Sequence, residues 1–127
     1  SVSFKTVISQ ISQVKKGESV GYSRRFRAEH DTKIATIPVG YADGIPRLIG
    51  NKVGNVGINN KLCPIVGSIC MDMMMIDVDN VIAKEGDSVT IFNSKPSLEE
   101  FSKYCGTITY EVLTSISPRV KRIYIKN

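Results

Sequence analysis

From position 2 to position 92 the chain runs in short apolar-rich stretches, alternating with polar residues at the start of the chain, broken every few residues by glycine, asparagine, aspartate or proline. Alternation with a period of two marks a half-buried strand, because successive side chains point to opposite faces of a sheet. Residues 2–8 set Val2, Phe4, Thr6 and Ile8 against Ser3, Lys5 and Val7, and residues 9–14 continue in that style to a turn at Lys16, Gly17 and Glu18. Further strands are predicted over 19–22, 33–39, 61–66, 73–78 and 88–92. Glycines and asparagines punctuate a β-ribbon over 50–57, and Asn59-Asn60 is a hairpin signal.

The last third changes character. Asn93 to Pro96 is a breaker, Ser97 suits an N-cap, and Glu100 stands three residues on, which predicts a short helix over 98–104 with a capping box. A second helix is predicted over 107–115, stopped by Pro118, with a closing strand over 120–125. The fold class is therefore mainly β: a compact antiparallel β-barrel or sandwich domain with one or two short helices near the C-terminus. Closing a barrel would also remove exposed strand edges.

Composition narrows the function classes. At 127 residues the chain has the size of one domain with its own core. No apolar run approaches a membrane span and the start lacks a basic-then-apolar signal pattern, so a cytoplasmic protein is expected. Cys63, Cys70 and Cys105 fit neither a C-x-x-C motif nor a zinc knuckle, and the single histidine, His30, sits between Glu29 and Asp31 in a polar turn. Reduced thiols and no metal are expected. The net charge of +5 is spread over scattered pairs, Lys15-Lys16, Arg24-Arg25 and Lys121-Arg122, which read as solvated faces or as partners for a carboxylate or phosphate. A basic barrel binding single-stranded nucleic acid is the alternative from another class, and it requires exposed aromatics along one strand face.

Three strand-end interruptions carry the unusual residues: Gly21 to Arg25 with Tyr22, Gly40 to Gly44 with Tyr41 and Asp43, and Cys70-Met71-Asp72. Gathered at one end of a barrel, they would suit an anionic small molecule. A tyrosine acting as base at neutral pH needs its reference pKa of about 10 lowered by cations, and Arg24 and Arg25 adjoin Tyr22. Taken singly, Tyr22 and Tyr41 read equally as half-buried strand aromatics, and Asp43-Gly44 as turn chemistry. Met73, Met74 and Met75 read as core, whereas Met71 lies in the irregular segment, where its backbone N–H is open to a ligand.

Together, SVGYSRRF (19–26), IPVGYADG (37–44), CPIVG (63–67), CMD (70–72), TYE (109–111) and ISPRV (116–120) resemble the carboxy-terminal β-domain of alanine racemase, in that family's order. The resemblance implies that residues 1–127 are this β-domain of an isomerase that interconverts L- and D-alanine for peptidoglycan. It implies pyridoxal phosphate as cofactor, borne by a lysine of an N-terminal (β/α)8 barrel that these residues do not include. It further implies a homodimer with each active site between one subunit's barrel and the other's β-domain, and neither a nucleic-acid nor a membrane partner. Tyr22 then resembles the base on the L-alanine face, and the Met71 N–H the group that binds the substrate carboxylate. Tyr41 would line the inner entrance, with Arg47 and Ser68 farther out. Tyr110 and Ile108 would approach the cofactor phosphate, and Asp72 would support the site from behind. Ser23 and Ser68 depart from the glycine and arginine common in the family. Without the barrel, the isolated chain is expected to be inactive and free of cofactor; a domain serving only dimerisation is a further reading.

Overall fold

The stretch predicted as two consecutive strands at the start of the chain is one bent segment used twice. In the computed structural model, which describes residues 2–20 and 26–121, β1 (Phe4–Val7) pairs antiparallel with β9 (Ser88–Phe92). Immediately afterwards β2 (Gln10–Val14) pairs antiparallel with β5 (Thr32–Ile37). The handover is hydrogen-bonded throughout: Ile8 N–H donates to Asp87 O at 2.9 Å, Gly86 N–H donates to Ile8 O at 2.8 Å, and Ser9 N–H donates to Thr36 O at 2.9 Å.

Between these come β3 (Ser19–Val20) and β4 (Phe26–Arg27), which form a small ribbon, and β6 (Asn55–Ile58), β7 (Lys61–Val66) and β8 (Met74–Asp77). The main sheet has the order β1-β9-β6-β7-β8-β5-β2. Its two outer strands are consecutive in the chain, so its edges meet at Ile8 and Ser9 and the sheet curls like a half-barrel. On the other side β7 also changes partner, pairing through Asn55↔Pro64 to Ile58↔Lys61 with β6 and then through Ile65↔Ile76 and Val66↔Met75 with β8. Strands that switch partner are how a sheet turns a corner.

Ile37, Val56, Ile58, Ile65, Ile76, Val89 and Ile91 fill the interior. Alternation sends Ile34, Val66 and Met75 to the other face, where Phe26 of β4 covers them. The helices α1 (Leu98–Tyr104) and α2 (Thr109–Ser115) follow, and Phe101 seats α1 with its ring 5.4 Å from that of Phe92.

The mainly β class is as expected, and β7, β9 and α1 have the expected bounds. The expected ribbon over 50–57 is a strand only from Asn55; before it, Asn51 and Lys52 adopt positive φ and donate to Gly67 O and Ile65 O at 2.8 and 2.7 Å. Asn59 and Asn60 do turn the hairpin, both with positive φ. α2 starts two residues later than expected because Thr107 N–H donates to Ser102 O at 3.0 Å, tying it to the end of α1. The expected closing strand over 120–125 is a turn at its start, where Val120 N–H donates to Ser117 O at 3.1 Å, and lies otherwise outside the described residues.

The capping box of α1 supplies a pH dependence. Ser97 N–H donates to Glu100 Oε1 at 3.1 Å and holds that carboxyl below its ordinary value. Folding thus favours the charged form, so the contribution is present above about pH 4.3 and is lost as pH falls through the lower, folded-state value. Glu100→Gln is predicted to lower the urea midpoint at about pH 6, with the difference from the parent chain closing as acid protonates the folded-state carboxyl. A difference independent of pH would show that the carboxylate is not the acceptor.

Candidate functional site

The register Ile37↔Met74 puts the exit of β5 beside the entry to β8, so residues 40–44 and 70–72 share one end of the sheet. There they interlock: Tyr41 N–H donates to Cys70 O and Ala42 N–H to Met71 O, each at 3.0 Å. The approach is close enough to require glycine at 40, where a Cβ would stand 2.2 Å from Cys70 O and 2.5 Å from Met71 O.

Residues Tyr41–Asp43 form a 3-10 turn closed by Asp43 itself, whose Oδ2 accepts from Gly40 N–H at 2.9 Å. Gly44 follows at φ +106, the left-handed region that favours glycine, and a Cβ there would stand 2.4 Å from Ser115 O. The end of α2 therefore lies directly on this turn, and Ser117 N–H donates to Asp43 O at 3.0 Å. That docking delivers Arg119, whose Nε lies 2.9 Å from Asp43 Oδ1 and whose Nη2 lies 3.0 Å from Asp72 Oδ1. Asp43 has a side chain only 10% exposed, against 57% for Asp72. One guanidinium thus bridges a nearly buried carboxylate on one segment and an exposed one on the other.

The interlock aims a donor. The Cys70–Met71 peptide is trans, so the N–H of Met71 points opposite to the Cys70 carbonyl that Tyr41 engages. This N–H has no hydrogen-bond partner among the described residues, while Met71 and Tyr41 are 52% and 43% exposed. Arg47 places its Cζ 5.4 Å from the Tyr41 ring centroid, a cation–π arrangement that steadies the ring. Ser68 is half-buried in the neighbouring segment, where Asn51 N–H donates to Gly67 O at 2.8 Å. An unengaged N–H beside an exposed phenol suits a carboxylate.

The structure thus brings together Tyr41, Met71, Asp72 and Arg47, with Ser68 adjoining. Ile108 and Tyr110 are exposed at the opposite end of α2 from the interlock, about 10 Å along its axis. Tyr22, with the rest of 21–25, lies outside the described residues. Sequence reasoning missed Arg119 as a site residue and, while marking Asp43 as turn chemistry or as one of the strand-end residues of a site, did not see its partner; no local signal pairs a carboxylate in one turn with a guanidinium far along the chain.

Elsewhere, His30 Nε2 lies 3.2 Å from Asp79 Oδ2 in an exposed turn. An open depression lined by Asn59, Lys61, Asp79, Asn80, Val81 and Ile82 lies at the other ends of β7 and β8. Phe4, Phe26, Phe92 and Phe101 are all buried, so the described strands present no row of exposed aromatics and the nucleic-acid alternative is not favoured. No helix among the described residues is long and apolar enough to cross a membrane.

Residues 1–124 match the family described as "Alanine racemase, C-terminal domain". The chain is 42% identical over 128 residues to the alanine racemase of Helicobacter acinonychis (strain Sheeba), covering 98% of this chain and 34% of that protein. It is 43% identical over 131 residues to the alanine racemase of Clostridium tetani (strain Massachusetts / E88), covering 99% and 34%. Among solved structures, the alanine racemase of Clostridium difficile 630 superposes with a TM-score of 0.90 at 38% identity, over 98% of this chain and 33% of that one. The Bartonella henselae alanine racemase with covalently bound pyridoxal phosphate gives 0.91 at 38% identity, over 97% and 34%. The chain spans about a third of the length of these relatives.

The cysteines report on the interlock. Burial pushes the Cys63 and Cys105 thiols up to about 11, leaving them protonated at neutral pH, while Cys70 is half-buried within the interlock itself. Gly40→Ala is predicted to separate the two segments and to raise the rate of Cys70 labelling by a thiol reagent about tenfold, with Cys63 and Cys105 still protected. An unchanged Cys70 rate would show that the close approach at Gly40 is not what holds the segments together.

Proposed function

The chain belongs to the alanine racemase C-terminal domain family, and we propose that it is the β-domain of a pyridoxal-phosphate-dependent enzyme that interconverts L- and D-alanine. In this reading the enzyme is a cytoplasmic homodimer that supplies D-alanine for peptidoglycan. The observation that carries it is the family match over residues 1–124, which includes both interlocked segments.

The described residues fit one wall of a site completed by a barrel domain. They offer an exposed phenol, an unengaged N–H and the exposed Tyr110 and Ile108. The cations beside them are already engaged, Arg119 by two carboxylates and Arg47 on the Tyr41 ring, so the interlocked segments leave the anchoring of a phosphate chiefly to the barrel. Pyridoxal phosphate, when bound, supplies the electron sink that lets a Cα proton leave.

This chain supplies the rest of one face. The phenolic oxygen of Tyr22 takes the Cα proton from L-alanine or returns it, reaching into the partner subunit's site, and Arg24 and Arg25 adjoin it in sequence as cations able to favour the phenolate. The Met71 N–H donates to the substrate carboxylate and fixes which face of Cα meets Tyr22. Tyr41 walls the inner entrance, steadied by Arg47, with Ser68 farther out; Tyr110 and Ile108 approach the cofactor phosphate of their own subunit. Asp72 holds the segment that carries Met71. A chain of these 127 residues alone, without the barrel and its lysine, binds no cofactor at that site and racemises no alanine.

Solvent deuterium entering each enantiomer of alanine tests the assigned base in an enzyme that joins this domain to its barrel. Tyr22→Phe is predicted to slow exchange into L-alanine by about a hundredfold or more, and exchange into D-alanine much less. Equal slowing with both enantiomers would contradict the assigned face, and undiminished exchange with both would remove Tyr22 from the chemistry.

A further inference from the structure

The position of the Met71 N–H depends on two attachments, and both end on the same side chain. The turn Tyr41–Asp43 holds the Cys70 carbonyl and so aims the Met71 N–H on the far side of that peptide. The turn is in turn held by the Asp43 carboxylate, of which one oxygen takes Gly40 N–H and the other takes Arg119 Nε. On the downstream side of Met71, Asp72 is held by Nη2 of the same guanidinium. An exposed ion pair by itself contributes little, but a planar fork with one nitrogen anchored on a nearly buried carboxylate fixes the direction of the other.

We propose that Arg119 is the positioning residue for the substrate carboxylate: by bridging Asp43 and Asp72 it sets the Met71 N–H at the geometry that binds substrate. The proposal rests on the reading of Met71 as carboxylate-binding. Arg119 itself touches no substrate; it acts through the two segments it joins. A lysine in its place would neutralise Asp43 from a single nitrogen and could not hold both carboxylates in the fork geometry.

The test uses an enzyme joining this domain to its barrel, with Arg119→Met, Arg119→Lys, Asp72→Asn and the Arg119→Met/Asp72→Asn double variant. Alanine turnover is measured alongside inhibition by propionate, a carboxylate without the amino group. Arg119→Met is expected to raise KM for alanine and Ki for propionate together by about tenfold, the size of one charge-assisted hydrogen bond misplaced, with a smaller fall in kcat. Asp72→Asn is expected to shift both in the same direction by about threefold, and the double variant to go no further than Arg119→Met, because the two act through one bridge. Arg119→Lys is expected to recover thermal stability without recovering Ki.

A fall in Tm with KM and Ki unchanged would make Arg119 a structural brace only and overturn the proposal. So would full recovery of Ki by lysine, or multiplicative effects in the double variant. Cys70 labelling in Arg119→Met, expected to quicken, needs no substrate and tests the bridge separately. If the unmutated enzyme failed to racemise alanine while labelling quickened, the proposed function would fall and the bridge would stand; unchanged labelling would overturn the bridge itself.

Discussion

A single carboxylate, that of Asp43, is the constraint on which this end of the molecule depends. Its side chain is 10% exposed, and both oxygens are engaged, one by Gly40 N–H and one by Arg119 Nε. Leaving a nearly buried carboxylate without a partner costs more than breaking an exposed pair, because its oxygen then loses its donor away from bulk water. The turn, the end of α2 and the segment at Cys70 therefore have one arrangement in which that charge is satisfied. Met71 and Tyr41 are exposed, yet their backbones are fixed.

The curled sheet makes this arrangement available at low cost in loop length. Because β5 and β8 are antiparallel neighbours with Ile37 opposite Met74, two segments far apart in sequence leave and enter the sheet side by side. The two corner strands, the bent segment through Ile8 and Ser9 and the partner-switching β7, curl the sheet so that this end is rigid. Only then does the chain return through α2, laying Ser115 against Gly44 and delivering Arg119. Such a frame holds an exposed backbone donor in one place, which is what a binding site of any kind needs, since small misplacements are costly.

Much of this was legible in the residues. Short runs bounded by turn residues located β7 and β9 to the residue, and Ser97 with Glu100 located α1 and its cap, because those signals are local. The segments at 40–44 and 70–72 stood out as interruptions, and the order of six motifs carried the family. What was not legible is long-range. Nothing in a single sequence says that Asp43 faces Arg119, that Gly40 is needed because the Cys70 carbonyl passes over it, or that Thr107 belongs to the end of α1 instead of the start of α2. Each follows from packing that only the folded chain reveals.

Amide hydrogen exchange in Asp43→Asn tests whether Asp43 fixes the site. Asparagine keeps the size and still accepts from Gly40 N–H, but it presents no charge to Arg119. The Tyr41 and Ala42 amides, protected by their bonds to Cys70 O and Met71 O, are expected to exchange much faster in the variant, while the Ile65 amide in β7 keeps its protection. Unchanged protection at Tyr41 and Ala42 would show that Asp43 does not fix the site.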